Sequence, residues 1–373
     1  MTIGWIFPKN NNGPITGIGE AGVETFKGSP FNSLAREICQ NSLDARLNNG
    51  QPVLVEFHQF KIPQEQLMSA DELIDAFKRS RDFWKKLNNK KTVEFFEKAL
   101  DVVNSNEIPV LRISDFNTTG LTGSNQEYGT AWYNLVKSSG VSDKGGSSGG
   151  SFGIGKSAPY ACSDLRTIYY STLDYNGLHA SQGVSRLVTF RDSDGDTTYG
   201  MGYYGNKEDV SPLKQPLFLD NRYTRTSSGT DIYILGFQDD NGWQIEMIKA
   251  VIEGYLIAIH EDKLRVIVGD VQISKDTLPS LIETYKDKLK YAYNYYQVLT
   301  SEETQELTYE MEGLGKFELK VLLKQGLHRK ILVTRINGMK LFDKANISST
   351  IQFAGILRLI DEPVNEFFRL LEP

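Results

Sequence analysis

Residues 145–161 read GGSSGGSFGIGKSAPYA, and within them GSFGIGKS at 150–157 satisfies the phosphate-loop pattern G-x-x-x-x-G-K-[ST]. In that motif backbone N–H groups and the lysine hold phosphates while the serine reaches Mg²⁺, and the loop follows a buried hydrophobic strand. The stretch before it, SSGVSDKGGSSG at 138–149, contains one aliphatic residue and cannot form such a strand. Context therefore argues against a P-loop. The glycines at 149, 150, 153 and 155 still free the backbone for close approach of a phosphate. A helix starting near Gly155 would aim its N–H groups and positive dipole end at the anion. A flexible surface loop would explain the Ser/Gly run, but not Phe152, Ile154 and the apolar turn after Lys156.

Three further segments carry chemistry. In REICQNSLDA, 36–45, Glu37 and Asn41 are four apart and Asp44 three further on, so a helix projects all three from adjacent turns of one face. A carboxylate one turn from a carboxamide can orient a water with the first and complete a Mg²⁺ shell with the second. In VLRISDFNTTGL, 110–121, alternation puts Leu111, Ile113 and Asp115 on one side of a strand, so a carboxylate follows apolar residues inward. A buried carboxylate needs a donor: an adenine amine would serve, with Asn117 and Gly120 making the turn that lets a base approach, or the aspartate caps its own turn. In SSGTDIYILG, 227–236, Thr230, Ile232 and Ile234 share a face, so the threonine hydroxyl wants a partner such as Asp115 or a water.

Residues 1–30, rich in Gly, Pro and Asn, read as an irregular arm. A helix follows from an N-cap at Asn32 or Ser33 through Leu47, with Leu34, Ile38, Asn41 and Ala45 on one stripe, and Asn48-Asn49-Gly50 ends it. VLVEFHQF, 53–60, alternates as a strand with His58 facing out. Residues 64–106 read as two inserted helices, the first bearing Lys78, Arg79, Arg81, Lys85, Lys86, Lys90 and Lys91 interleaved with Phe83 and Trp84. That basic run, 78–91, is either a solvated face or a nucleic-acid surface. Strands are expected at 109–114, 167–172, 186–191 and 230–235. Beyond Gly236 come a helix through Trp243–Ile259, hairpin turns at Gly269-Asp270 and Asn337-Gly338, and helical patterns at 276–292 and 350–371. The expected domains are therefore 1–240 and 241–373.

The chain has 373 residues, enough for two domains with real cores, and 40% hydrophobic with 24% charged residues is ordinary globular usage. Forty-one Lys plus Arg against 47 Asp plus Glu give a net charge of −6, so nothing global advertises nucleic acid or an anionic membrane. Cys39, Cys162 and four scattered histidines supply neither a disulfide framework nor zinc-ligand spacing. The N-terminal MTIGWIFPKNNNG lacks a signal-peptide pattern and no segment has the length of a membrane span, so a cytoplasmic protein without membrane contact is expected.

Taken in order, the four segments resemble the Bergerat-fold ATPases of the GHKL superfamily, with the lid sequence FGIGKSA closest in feel to the heat-shock-chaperone and MORC-like branches. The resemblance implies an α/β two-layer sandwich, a mixed sheet with helices on one face, over 1–240, with 138–157 as the ATP lid. It implies Glu37 as the base activating a hydrolytic water, Asn41 as the Mg²⁺ ligand, Asp44 as a pocket residue and Asp115 as the adenine-binding aspartate, with Asn117 and Gly120 forming the turn after it. Gly150, Phe152, Gly153, Ile154, Gly155, Lys156 and Ser157 become the phosphate-binding end of the lid, and Thr230 assists adenine recognition. The family's D-x-G-x-G turn reads here Asp115-Phe116-Asn117-Thr118-Thr119-Gly120, with Asn for the first Gly and one residue inserted. Residues 241–373 resemble an α+β transducer-like domain, in which Lys330, Arg335 and Lys340 are candidates to reach a γ-phosphate.

The function implied is Mg²⁺-dependent ATP binding and slow hydrolysis that drives lid closure and homodimerisation. Such a unit would be the ATPase module of a larger antiviral-defence, DNA-associated or chaperone-like machine, with a protein partner or DNA met through 78–91. The alternatives are a nucleotide-responsive scaffold with little turnover and a P-loop NTPase.

Overall fold

The computed structural model describes residues 2–138, 155–238 and 242–371, which fall into two compact units. The first comprises residues 2–34, 56–138 and 155–238, and the second 35–55 and 242–371. This division differs from a cut near 240, because one helix and the start of one strand from the N-terminal part belong with the C-terminal unit.

The elements up to residue 238 are β1 (Ile3–Ile6), α1 (Ala21–Phe26), α2 (Pro30–Asp44), β2 (Val53–Ile62), α3 (Ala70–Lys86), α4 (Lys90–Val103) and β3 (Ile108–Phe116). They continue with α5 (Ala131–Val136), α6 (Ala158–Ala161), β4 (Thr167–Leu173), β5 (His179–Arg186), β6 (Met201–Asn206) and β7 (Gly229–Leu235). The first unit is built on a sheet in the order β1-β6-β5-β4-β7-β3-β2. Every residue of β7 and six of the seven in β4 are buried, so both faces of the sheet centre are covered.

The two faces are covered differently. Adjacent residues of a strand point opposite ways. Tyr169 of β4 lies in the cluster formed by Phe77 and Trp84 of α3 and Phe96 and Leu100 of α4, whereas Tyr170 meets the hydroxyl of Tyr160 on α6. Helices thus stand on both faces of this sheet, where one face was expected. The insertion at 64–106 is the predicted pair of helices, its buried Leu73, Phe77, Phe96, Leu100 and Val103 at helical spacing. In this unit β1, in the supposed irregular arm, and β6 went unread in the sequence, as did the strands Gln305–Met311 and Gly315–Leu323 of the other unit, and the strand expected at 186–191 is instead β5, ending at Arg186.

In the second unit follow α7 (Trp243–His260), β8 (Leu264–Val268), β9 (Val271–Ile273), α8 (Leu278–Tyr285), α9 (Ala292–Thr300), β10 (Gln305–Met311), β11 (Gly315–Leu323), β12 (Lys330–Thr334), β13 (Lys340–Lys344), β14 (Phe353–Leu359) and α10 (Glu362–Leu371). The β8–β9 pair closes through Gly269-Asp270 as expected, with Val268 opposite Val271. A five-stranded mixed sheet runs β10-β11-β14-β12-β13, with β14 parallel to β12 and antiparallel to β11. Helix α9 packs on β14 and β11. The span 350–371, expected as one helix, is a strand and then a helix. FAGILRL is apolar but for Arg358, a run too short and too uniform for its period to separate a buried strand from a buried helix, and its pairing on both sides settles it as strand.

Among the described residues no helix is long and apolar enough to cross a membrane.

Candidate functional site

Helix α2 starts with Pro30, whose fixed φ and missing N–H suit a first turn, earlier than the expected cap at Asn32 or Ser33, and ends at Asp44. Its buried side is Leu34, Ala35, Ile38, Cys39, Ser42 and Leu43, so Asn41 and Ala45 sit beside the apolar stripe rather than on it. Glu37, Asn41 and Asp44 share the half-buried flank. There the amide nitrogen of Asn41 donates to Glu37 Oε1 at 2.9 Å, one helical turn apart. Within the same unit the Tyr255 hydroxyl of α7 donates to the Arg36 carbonyl and helps fix this turn. Cys39 is fully buried, and burial pushes its thiol far above the ordinary range, which makes it an inert core residue.

In the first unit, β3 delivers Asp115 to its C-terminal end, where the carboxylate is half-buried. Two donors converge on Asp115 Oδ1: the Thr230 backbone N–H of β7 at 2.7 Å and the Thr118 hydroxyl at 2.8 Å. Thr230 was expected to offer its hydroxyl; the bond it makes here is through its amide, and the hydroxyl comes from Thr118, which the sequence reading did not single out. Burial pushes the Asp115 carboxyl above its usual range, against the opposing pull of the Arg225 guanidinium and the two donors.

The turn after Asp115 places two residues in left-handed backbone. Asn117 has φ 61° and Gly120 φ 65°, both left-handed. At Gly120 a Cβ would stand 2.7 Å from the Leu173 carbonyl oxygen and 2.9 Å from Thr172 Oγ1, so the position requires glycine on two counts. Thr172 Oγ1 accepts from the Leu121 N–H at 2.9 Å and donates to the Gly229 carbonyl at 2.8 Å, tying the turn to the start of β7.

Beneath Asp115 lies a buried ion pair. Arg225 grips Asp231 through Nε at 2.8 Å and Nη2 at 2.6 Å, with both side chains 2% exposed. The same guanidinium donates to the Asp115 carbonyl at 2.9 Å and the Thr230 carbonyl at 3.0 Å, and the Tyr223 hydroxyl caps Asp231 at 2.9 Å. Arg225 and Asp231 were missed in the sequence. The signal was there: an aspartate inside the otherwise apolar strand TDIYIL demands a cation, and RYTRT just precedes it.

The lid positions Gly150, Phe152, Gly153 and Ile154 lie outside the described residues. Gly155, Lys156 and Ser157 form a single 3-10 turn leading into the four-residue α6 rather than a long helix. Lys156 Nζ donates to the carbonyls of Asn134 (3.1 Å) and Ser138 (2.7 Å), and burial, with Arg186 nearby, lowers its pKa. The Ser157 hydroxyl accepts from Arg186 Nη1 at 2.9 Å, which also holds Glu20 at 2.7 Å. Both side chains that a P-loop would devote to phosphate and Mg²⁺ are thus engaged by protein groups.

Helix α3 keeps its basic surface but turns its aromatics inward. Trp84 is buried with its indole N–H on the Thr189 carbonyl at 2.8 Å, and Phe83 packs on the core. In the second unit Lys330 and Lys340 flank the Tyr291 ring at 4.8 and 5.5 Å, and Lys340 is paired with Asp343 at 2.7 Å. Arg335 is buried at the β12–β13 turn, where its carbonyl accepts from the Gly338 N–H at 3.0 Å.

No family model and no curated protein matches this chain. Among solved structures, the ATPase region of Saccharomyces cerevisiae topoisomerase II is similar, with a TM-score of 0.39 and 10% identity over 88% of this chain and 72% of that one.

Proposed function

We propose that the chain binds Mg-ATP and hydrolyses it slowly. The observation that carries the reading is Asp115. Two of the protein's own donors meet on one oxygen of a half-buried carboxylate at a strand end, which is the anchoring a base-reading acceptor needs. An ionised carboxylate is an acceptor on both oxygens, the character an exocyclic amine requires of its partner. Gly120, which no side chain could replace, keeps the adjoining backbone bare for a flat ring.

The phosphate end is assigned to α2. Asn41 turns its amide nitrogen to Glu37, which directs its oxygen, the atom type Mg²⁺ prefers, the other way. Bound there, the ion would neutralise charge on the phosphates. Glu37 would take a proton from the attacking water, its carboxylate held in place by the Asn41 bond. Asp44 would line the same pocket, and the backbone of the Gly-rich segment through Gly155 would cradle phosphate oxygens. Lys156 and Ser157 would act as anchors of that segment through the bonds they already make. Lid closure would bind ATP and ADP states differently, and the ATP state would favour a homodimer.

The test is one calorimetric and phosphate-release series. Asp115→Asn should weaken ATP binding by roughly ten- to a hundredfold, the worth of one charged hydrogen bond. Glu37→Ala should keep binding and lose roughly 10²–10⁴ in turnover. Unchanged affinity in a folded Asp115→Asn protein would defeat the assignment of the base site. Equal phosphate release by wild type and Glu37→Ala would leave only a nucleotide-responsive scaffold.

A further inference from the structure

Strand β10 is the outermost strand of the five-stranded sheet, and all seven of its residues are exposed. It pairs with β11 from Gln305 opposite Val321 to Met311 opposite Gly315 with no shift in register, so its free edge is straight. Leu307, Tyr309 and Met311 are 62%, 63% and 45% exposed and, being two apart, form one apolar row. Edges of this kind are ordinarily guarded by lysine, proline or a bulge, and β10 has none of the three.

The charge around this edge is one-sided. Glu302, Glu303, Glu306, Glu310 and Glu312 crowd the strand and its flanks, and no Lys or Arg occurs between Lys290 and Lys316. On the face opposite the apolar row, Glu306 and Glu310 meet Lys320 and Lys316 of β11 at 3.1 and 3.7 Å, so cations match these carboxylates from the strand side and nothing matches them from the edge side among the described residues. A second copy of the chain is a poor occupant. The antiparallel register that pairs all seven residues is centred on Thr308, and it sets Glu306 opposite Glu310 of the other copy twice over.

We propose that β10 accepts an added strand from another protein, a segment in which Lys or Arg alternates with apolar residues. Its cations lie beside Glu306 and Glu310, and its apolar side chains cover Leu307, Tyr309 and Met311. Main-chain hydrogen bonds to the free edge hold it, and the alternation sets its face.

The probe is a capped ten-residue peptide alternating Lys and Val, titrated by fluorescence anisotropy into the whole chain. It should bind, and its fully N-methylated form, which has no backbone donors, should not. A Glu/Val peptide should bind roughly tenfold or more weakly, as should the Lys/Val peptide on the Glu306→Lys, Glu310→Lys double variant. Leu307→Ser and Tyr309→Ser should weaken it as well; these side chains are exposed, and an unchanged urea midpoint verifies the fold. No binding of the Lys/Val peptide overturns the proposal. So does equal binding of the N-methylated peptide, which would make the contact one of charge alone, or a concentration-dependent dimer of the wild type that Tyr309→Ser abolishes.

Discussion

At the scale of single residues, what a side chain can do here follows from what its neighbours have already taken. Lys156 carries the right name for a phosphate ligand, yet its ammonium is spent on the Asn134 and Ser138 carbonyls. His328 shows the same dependence in a titration. Its ring lies edge-on between Tyr291 and Tyr295, with centroids at 5.2 and 4.7 Å. Burial, assisted by Lys330 and Lys340 against the opposing Asp343, lowers its pKa from 6.5 to about 4. Because the folded value lies below the unfolded one, the unfolded chain binds the proton first. The contribution of His328 is therefore full above about 6.5 and is lost as pH falls towards 4. His328→Phe should flatten that part of the profile of urea midpoint against pH; an unaltered slope would show that other groups set it. The residues most legible in sequence were those with a local spacing rule, such as Glu37 and Asn41. Thr230 was legible as a neighbour of Asp115, though through its hydroxyl rather than its amide; Arg225, 110 positions from Asp115, was not, since only the sheet register brings it in.

Elements were legible where their period was unambiguous and their partners local. The two inserted helices and the Gly269-Asp270 hairpin were read from the chain, because an amphipathic period and a two-residue turn need nothing distant. Strand β14 was not, because an apolar run is fixed as strand only by β11 and β12 on its flanks. The turn between β3 and α5 offers a direct test of how closely such an element is specified. Gly120→Ala places a methyl against the Leu173 carbonyl in a left-handed backbone, and should cost about 1–3 kcal/mol in a urea titration. Arg225→Ala should cost more, about 3–5 kcal/mol, since it strands Asp231 in a site where neither partner meets water and also unties the loop from β3 and β7. A loss under 1 kcal/mol for Arg225→Ala would mean that water enters and replaces the guanidinium.

At the scale of the whole molecule the governing quantity is charge. A net charge of −6 makes two copies repel at long range, so the proposed ATP-dependent homodimer would have to be held by short-range contacts. Salt should then strengthen it by screening the repulsion. It should weaken the binding of a cationic strand to β10, where the attraction is between opposite charges. The two associations are thus separable by the sign of one dependence. Glu37→Ala, which on the proposed mechanism binds ATP without consuming it, should hold the dimer in sedimentation velocity with Mg-ATP and release it with ADP. Raising salt from roughly 50 to 200 mM, a span over which the screening length falls by about half, should shift Glu37→Ala further towards dimer. A monomer at every salt concentration, with ATP shown calorimetrically to be bound, would separate nucleotide binding from assembly and leave the switch within a single chain.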